Sequence, residues 1–345
     1  MTDAAFALLQ PFLQQPQGRT LWLADENLLS ARITPQPGLE ALTNRYDLQL
    51  SLTQQQWPVL FNDYDFGPLQ NTLFDRVIYR ISKEKPVVHH LINQAYNILK
   101  PDGELILAGA KTEGIKTYFS KAKKLFGAGL CNKNSADLWL AQLTKATVEP
   151  VYLDDQNYSQ LRAVAADENF EYCSKPGVFG WDKIDKGSAY LIEHLDQFLM
   201  TLAEPPRSAL DLGCGYGYLT MNLNHLEIPV TATDNNAAAI KACEYNLSGL
   251  KMDAQVVADN CAAGIQKRFD LIVCNPPFHT GFATNGDLTD RFLRAAHDHL
   301  EPRGIACFVT NLHIPLERKA SQWFRQSEII AANGHFKLVR LSHGE

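Results

Sequence analysis

The feature of this sequence that most constrains its fold is a strand-and-helix pattern that occurs twice. Each copy contains an apolar strand beginning Phe-Asp, then a helical stretch, then a Pro-x-Gly turn and another apolar strand. The matching segments are 19–29 with 207–219, 74–85 with 269–280, and 92–109 with 293–310. Because order and spacing agree across three blocks, duplication of one α/β unit is favoured over chance similarity.

The second copy alternates strand-like and helical patterns, which predicts a mostly parallel sheet covered by helices. Its strand-like runs are 208–212, 229–234, 254–259, 269–275 and 304–310, and its helical patterns are 217–226, 236–248, 287–300 and 315–326. In the tail, Asn333 and Gly334 lie between two β-rich runs, which predicts a terminal hairpin. The predicted fold class is therefore α/β, with two tandem domains.

Composition limits the class of protein. A chain of 345 residues that is 46% apolar and 20% charged suits two globular domains. No apolar run approaches the length of a membrane span, and the start lacks the basic region of a signal peptide. The seven cysteines lack the spacing of a zinc site or a disulfide framework. We therefore expect a cytoplasmic protein with lone thiols and no metal.

Charge is distributed unevenly. Residues 1–150 contain 15 Lys and Arg against 14 Asp and Glu, whereas 151–345 contain 17 against 24. A protein-wide basic surface for nucleic acid is thus not predicted. One local basic cluster lies in 111–124, and its lysines are Lys111, Lys116, Lys121, Lys123 and Lys124. These lysines could bind RNA phosphates or form an ordinary solvated helix face, and both interpretations stay open.

A glycine-rich turn follows the first strand of the second copy. Asp211 lies at the end of that strand, and Gly213, Gly215 and Gly217 precede a helix. Glycine lets a ligand approach the backbone closely, and the open end of a strand–turn–helix unit is where nucleotide-like ligands bind. The spacing differs from the dinucleotide G-x-G-x-x-G pattern, and the absence of a following GK[ST] excludes a P-loop.

Acidic residues end the next two predicted strands. Asp234 lies about 20 residues beyond the turn, where a carboxylate can accept hydrogen bonds from both ribose hydroxyls. Capping of the helix that begins near Asn236 is the alternative role for Asp234. Asp259, followed by Asn260, suits the edge of an adenine ring, and a loop-capping role for Asp259 stays equally open.

The most specific motif is Asn275-Pro276-Pro277-Phe278, which follows the fourth strand. An exocyclic amine on a base is a poor nucleophile because its lone pair is delocalised into the ring. The side-chain oxygen of Asn275 and the carbonyl of Pro276 can hold both amine hydrogens, orient the lone pair and stabilise positive charge on nitrogen. The prolines stiffen the backbone, and stacking on Phe278 is worth about 1–3 kcal/mol. Asn275, Pro276 and Phe278 are the catalytic candidates.

The pattern D-x-G-x-G-x-G, with acids ending the next two strands, resembles the class I S-adenosylmethionine-dependent methyltransferases. This resemblance implies a Rossmann-like sheet of seven strands, mostly parallel, with a C-terminal antiparallel hairpin. It also implies S-adenosylmethionine as the cofactor. The cofactor-binding residues implied by the resemblance are Asp211, Gly213, Gly215, Gly217, Asp234, Asp259 and Asn260.

Three further features point to one family within this class. They are the longer motif NPPFH, the PGVF sequence at 176–179, and an N-terminal copy that lacks both the glycine turn and the Asn-Pro-Pro motif. Together they resemble the bacterial ribosomal RNA small subunit methyltransferase C family along essentially the full chain. This implies methylation of N2 of guanosine 1207 of 16S rRNA within the 30S subunit. Members of that family commonly have Ser after PGVF, whereas this chain has Gly180, so no role is carried over to that position.

Several alternatives stay open. The related large-subunit guanine-N2 methyltransferases share the duplicated architecture and NPPFH, although the length and segment 175–188 favour the small-subunit family. Methylation of adenine N6 or of a protein glutamine amide is a further alternative, against which the duplicated N-terminal half argues. The last alternative is a non-enzymatic assembly factor that binds RNA and keeps a cofactor-binding fold without using it. The intact glycine turn argues against this alternative.

The remaining candidates concern the substrate side and the domain plan. Pro277 and His279 are candidate lining residues, and Phe179 either folds over the target base or the cofactor or anchors its loop in the core. For Gly187 and Ser188, a helix cap by Ser188 is favoured over cofactor contact. The predicted domains are a degenerate copy at 1–150 for rRNA recognition or support, a linker that covers the site at 151–190, and a catalytic domain at 191–345. A monomer is expected.

Overall fold

The computed structural model describes residues 3–25, 33–135, 137–277 and 285–344. The chain forms two compact units, Met1–Gln160 and Leu161–Glu345. Residues 151–160, predicted to begin the linker, pack in the first unit: the Asn93 side chain donates to the carbonyl of Leu153 at 2.8 Å and accepts from its N–H at 2.9 Å. The rest of the predicted linker packs in the second unit.

The first unit contains a sheet flanked by helices. Its strands are β1 (Thr20–Ala24), β2 (Leu39–Thr43), β3 (Val59–Phe61), β4 (Phe74–Arg80), β5 (Leu99–Ala110), β6 (Gly127–Lys133) and β7 (Leu138–Lys145). Its helices are α1 (Ala4–Ala7), α2 (Gln10–Gln14), α3 (Tyr46–Gln54), α4 (Lys85–Ile98) and α5 (Ile115–Phe126).

The second unit begins with a small hairpin, β8 (Arg162–Ala166) and β9 (Glu171–Ser174). The strands of its main sheet are β10 (Ala209–Leu212), β11 (Val230–Asp234), β12 (Ala254–Ala258), β13 (Phe269–Cys274), β14 (Leu300–Asn311), β15 (Gln326–Ala332) and β16 (Phe336–Ser342). Its helices are α6 (Lys186–Glu193), α7 (Leu195–Leu199), α8 (Tyr218–Asn222), α9 (Ala237–Leu247), α10 (Asn285–His299) and α11 (Leu316–Ala320). Among the described helices of both units, none is long and apolar enough to cross a membrane.

Both sheets have the same topology. Within the described residues the strand order is β3-β2-β1-β4-β5-β7-β6 in the first sheet and β12-β11-β10-β13-β14-β16-β15 in the second. Strands β7 and β16 run antiparallel to their neighbours, and the other pairings are parallel. The predicted fold class is confirmed: two α/β units, each with a mostly parallel sheet that ends in an antiparallel hairpin.

Helices cover both faces of the second sheet. Every residue of β10 is buried, as expected for a central parallel strand that is covered on both sides. One apolar cluster includes Leu219 of α8 and Cys243 of α9, and the other includes Leu293 of α10 and Leu316 of α11. With both faces covered, the carboxyl edge of the parallel strands is the surface on which a site can form.

The C-terminal part confirms one prediction and corrects another. The Asn333 side-chain oxygen accepts from the backbone N–H groups of His335 and Phe336, each at 2.8 Å, and this turn connects β15 to β16 as predicted. The helix predicted over 315–326 ends at Ala320. It is shorter because Phe324 is buried in the core and Gln326 already pairs with β16.

Candidate active site

The glycine turn connects β10 to α8 at the carboxyl edge of the second sheet. Gly213, Gly215 and Gly217 have φ angles of +89°, +56° and +93°, in a region that residues with a Cβ rarely adopt. A Cβ on Gly217 would lie 2.9 Å from Sγ of Cys243, whereas one on Gly215 would meet no described atom within 4 Å. The backbone at Gly215 is therefore open to a ligand.

Asp211 lies beneath this turn. Its side chain is fully buried, and Oδ2 accepts from the backbone N of Thr220 at 3.0 Å and from its Oγ1 at 2.6 Å. The other oxygen, Oδ1, is buried without a hydrogen-bond partner among the described residues. Burial raises the pKa of Asp211 to about 7, and the bonds from Thr220 oppose this rise. Asp211 thus supports the turn, and direct contact with a cofactor stays a prediction.

Asp234, at the end of β11, is bonded to the turn and to the next helix. Its Oδ2 accepts from the backbone N of Gly215 at 3.0 Å, and its Oδ1 accepts from the backbone N of Asn236 at 2.9 Å. The side chain that caps α9 is Asn236, which accepts from the backbone N of Ala238 at 2.9 Å. The Asp234 carboxylate is therefore held beside the open backbone of Gly215, as its predicted ribose-binding role requires.

Asp259 and Asn260, which follow β12, take part in loop structure. Asp259 is 4% exposed, and its Oδ2 accepts from the backbone N of Gly264 at 3.0 Å. The side-chain oxygen of Asn260 accepts from the guanidinium of Arg291 in α10. In this structure Asp259 makes the loop-capping contact, and contact of either residue with an adenine ring stays a prediction.

Asn275 follows β13, the neighbour of β10, and its amide is oriented by two residues of another segment. Nδ2 donates to Oδ1 of Asp185 at 2.7 Å and to Oγ of Ser188 at 2.9 Å. A carboxylate can only accept, so the amide nitrogen must face Asp185. No described residue donates a hydrogen bond to Oδ1 of Asn275, and this oxygen is left as an acceptor for a substrate.

The rest of the motif is described in part. Pro276 is buried and Pro277 is half-buried, consistent with a stiff, packed backbone after Asn275. Phe278 and His279 lie outside the described residues, so base stacking on Phe278 and substrate lining by His279 stay predictions.

The segment before α6 is fastened to residues around the glycine turn. The Asn236 side chain donates to the carbonyl of Gly177 at 2.8 Å, and the Tyr216 hydroxyl donates to the carbonyl of Lys183 at 3.0 Å. Between these two attachments, Phe179 is 55% exposed. The alternative that Phe179 anchors its loop in the core is therefore wrong, and its ring is available to contact a ligand.

The lysine cluster belongs to the first unit, on and just before α5. Lys111, Lys116, Lys123 and Lys124 are exposed, and Lys121 is half-buried. Two of them lie near aromatic rings: Nζ of Lys116 is 4.5 Å from the ring centroid of Trp139, and Nζ of Lys123 is 5.9 Å from that of Phe119. The opposite side of α5 is buried, so the cluster forms a solvent-facing basic surface that contains two aromatic rings.

The sequence of the first unit has no glycine-rich turn after β1, and its counterpart of Asp211 lies in an aromatic core. With Phe74 matched to Phe269, the strand registers place Trp22 where the second unit has Asp211. The Trp22 ring is buried and lies 5.7 Å from the ring of Phe6 and 5.1 Å from that of Trp57. Aromatic packing thus occupies the position of the turn-supporting acid.

The same alignment places Arg80 where the second unit has Asn275. Arg80 is 4% exposed and forms ion pairs with Asp3 at 3.0 Å and with Glu113 at 2.8 Å. A buried, fully paired guanidinium leaves no acceptor for a substrate amine at this position. The first unit is therefore a degenerate copy of the second.

The sequence predicted the wrong role for Ser188 and no role for Asp185. Ser188 does not cap α6; the cap is Asp185, whose Oδ1 accepts from the backbone N of Ser188 at 2.9 Å. The spacing D-x-x-S before an apolar run was a usable signal for this cap. Its contact with Asn275, 90 positions later, could not be read from local sequence.

Known proteins resemble the chain along both units. The Methyltransferase small domain N-terminal family matches residues 18–160, and the Methyltransferase small domain family matches residues 169–340. A ribosomal RNA small subunit methyltransferase C from Shewanella pealeana is 30% identical over 274 residues, which cover 77% of this chain and 76% of the relative. The chain belongs to the ribosomal RNA small subunit methyltransferase C family.

Other members and a solved structure agree. The small subunit methyltransferase C of Shewanella baltica (strain OS155) is 29% identical over 278 residues, covering 80% of this chain and 78% of the relative. The T. thermophilus 16S rRNA N2 methyltransferase for guanosine 1207, solved with AdoMet and guanosine, matches with a TM-score of 0.83 and 25% identity. That match covers 99% of this chain and 92% of the other. The resemblance drawn from the motifs is confirmed, and the chain is a methyltransferase of the small subunit methyltransferase C family.

Proposed function

We propose that this chain transfers a methyl group from S-adenosylmethionine to N2 of guanosine 1207 of 16S rRNA in the 30S subunit. The names of its relatives and of the similar solved structure support this substrate. The observation that carries the chemistry is the orientation of Asn275. Its amide nitrogen donates hydrogen bonds to Asp185 and Ser188, and its oxygen is left to accept a hydrogen bond from the substrate amine.

The residues around the glycine turn fit the proposed cofactor. The open backbone at Gly215 has room for a ligand where a Cβ would otherwise project. The Asp234 carboxylate beside it is suited to the hydroxyls of a ribose, and Asp211, buried beneath the turn, holds the start of the following helix through Thr220. When bound, S-adenosylmethionine supplies an electrophilic methyl group on a positively charged sulfur.

The chain's own residues would then act on the substrate amine. Oδ1 of Asn275 and the carbonyl of Pro276 each accept one N2 hydrogen, which turns the nitrogen lone pair toward the methyl carbon. Bound S-adenosylmethionine would supply the methyl group and leave as the neutral thioether, so N2 would become positive. The two oxygens stabilise that charge until N2 releases one proton to solvent. This mechanism requires no strong general base.

The first unit has a different role in this proposal. Its counterpart of the active site is filled by aromatic packing and a buried ion pair, so its contribution is RNA recognition or structural support. The solvent-facing lysines of α5 suit phosphate groups of rRNA. We also propose that Phe179 and Pro277 contact the target base, and that the protein acts as a cytoplasmic monomer.

Replacing Asn275 by Ala tests the mechanism. We expect kcat on 30S particles to fall by about 10²–10³-fold, as when one preorganised transition-state hydrogen-bond partner is removed. Binding of S-adenosylmethionine, measured by calorimetry, should stay near wild type because Asn275 does not support the glycine turn. A kcat within a few-fold of wild type would contradict the mechanism.

The substrate is tested separately with the wild-type protein. Isolated 30S particles are incubated with methyl-labelled cofactor, and the modified nucleotide is mapped by reverse transcription and mass spectrometry. The expected product is a single guanosine methylated at N2. Methylation of an adenine in these particles would overturn the proposed substrate. So would labelling of 50S particles or of a release factor, but not of 30S particles, in parallel incubations.

A further inference from the structure

Asp185 is placed to act on the reaction through Asn275. Its Oδ1 lies 2.7 Å from Nδ2 of Asn275, a short distance typical of a hydrogen bond to a charged acceptor. We propose that Asp185 is a positioning residue for methyl transfer, which fixes and polarises the Asn275 amide. The inference rests on the function proposed above and adds a residue to the same site.

The physical argument has two parts. First, an amide can rotate by 180° and exchange its oxygen and nitrogen, but a carboxylate behind the nitrogen permits one orientation only. Second, withdrawal of the amide hydrogen toward Asp185 increases the electron density on the far oxygen of Asn275, because hydrogen bonds in a chain strengthen one another. The negative carboxylate thus stabilises positive charge on the substrate nitrogen without touching it.

A purely structural role is the competing account, because the same oxygen of Asp185 caps α6 through the backbone N of Ser188 at 2.9 Å. Loss of a cap lowers stability and need not change the chemical step. Variants must therefore separate the cap from the bond to Asn275. Asn at position 185 retains a capping oxygen that can accept from Asn275 but removes the charge, whereas Ala removes both.

The experiment measures kcat, KM and cofactor affinity on 30S particles for Asp185→Ala and Asp185→Asn. We expect Asp185→Ala to lower kcat by about 10- to 100-fold, the loss expected for a hydrogen bond to a charged group, with cofactor affinity near wild type. Asp185→Asn should restore part of that loss. The matched control is Asp182→Ala, which removes an exposed carboxylate from the same loop and should leave kcat unchanged.

A double-mutant cycle decides whether Asp185 acts through Asn275. In an Asn275→Ala background, Asp185→Ala should cause no further loss in single-turnover rate. An equal loss in both backgrounds, or a wild-type kcat for Asp185→Ala, would overturn the inference. If wild type itself fails to methylate 30S particles, the proposed function falls instead, so the two failures are distinguishable.

A cleft of about 640 Å³ beside this network carries a second inference. Lys186, the residue after Asp185, lines it together with His313, His335 and Phe336. The cleft opens at the carboxyl end of β14, the strand next to β13, which Asn275 follows. Asn275 and the cleft therefore lie at the carboxyl ends of neighbouring strands.

The lining of the cleft fits a nucleotide. Lys186, His313 and His335 are exposed and offer a cation and two imidazole rings, and Phe336 adds a half-buried aromatic face. The Lys186 ammonium can bind a phosphate, and aromatic rings stack with bases of any sequence. We infer that the cleft holds the nucleotide that adjoins the target guanosine in the RNA strand.

Lys186→Ala tests this inference. We expect KM for 30S particles to rise by about 3- to 10-fold and kcat to stay near wild type. The slope of log affinity against log salt concentration should decrease by about one, as for the loss of one phosphate contact. Binding of a fluorescein-labelled single-stranded oligoribonucleotide, measured by anisotropy, should weaken in parallel. The control is Lys251→Ala, an exposed lysine just before β12 at the opposite edge of the sheet.

Two outcomes would overturn this second inference. Lys186→Ala could behave like Lys251→Ala in both assays, which would show that the cleft does not contact RNA. Alternatively, KM on 30S particles could rise while oligonucleotide binding stays unchanged, which would assign the cleft to a ribosomal protein. If wild type methylates no 30S particles, the proposed function fails before either result applies.

Discussion

At the residue scale, the site contains two polar side chains that are stabilised in different ways. Asn275 donates twice to one segment of the chain, and its oxygen is left for a substrate. Asp211 is fully buried, with one carboxylate oxygen bonded to Thr220 and the other without a partner among the described residues. An ionised carboxylate in such surroundings costs free energy, and its raised pKa reflects this cost.

The pH dependence of stability tests this account of Asp211. With a folded pKa of about 7 and an unfolded pKa near 3.8, the folded state binds a proton between these values that the unfolded state has released. Falling pH should therefore stabilise wild type relative to Asp211→Asn between pH 8 and pH 5. Thermal unfolding of both proteins across this range measures the difference, and a difference that does not change with pH would contradict the assignment.

At the element scale, the start of α6 brings together residues that are distant in sequence. Its cap, Asp185, and its third residue, Ser188, both contact Asn275. Gly187 lies between them, where a Cβ would come within 3.4 Å of Val309 and of the Phe336 ring, so the helix packs tightly against β14 and β16. Local sequence predicted a helix here, and the contact of its first turn with Asn275 came from this packing.

At the scale of the whole molecule, one topology is used twice with different contents. The second unit has Asp211 beneath an open glycine turn and the oriented amide of Asn275, whereas the first has Trp22 in place of Asp211 and the ion-paired Arg80 in place of Asn275. The two sheets keep the same strand order although these residues differ. The residues lie at the carboxyl ends of the strands, whereas the strand order depends on the apolar core of the sheet. The first unit keeps its sheet and its apolar core, and its exposed lysines are available to bind RNA.

The proposed RNA-binding role of the first unit gives a prediction at this scale. Lys124→Ala removes one exposed cation from α5, and we expect weaker binding to 30S particles with a salt slope reduced by about one. Affinity for S-adenosylmethionine should not change. Lys251→Ala provides a matched loss of charge in the second unit, and equal effects of the two variants on binding to 30S particles would contradict a specific role for α5.

Sequence by itself determined the duplicated α/β plan, the terminal hairpin, the glycine turn and the identity of the Asn-Pro-Pro motif. These features depend on local periodicity, on glycine and proline geometry and on order along the chain, all of which are present in the sequence. Tertiary structure alone decided that Asp211 is buried beneath the turn, that Asp259 caps a loop, and that Asp185 orients Asn275. Hydrogen bonds between segments 90 positions apart form only when the sheet and its helices pack, so no local pattern encodes them.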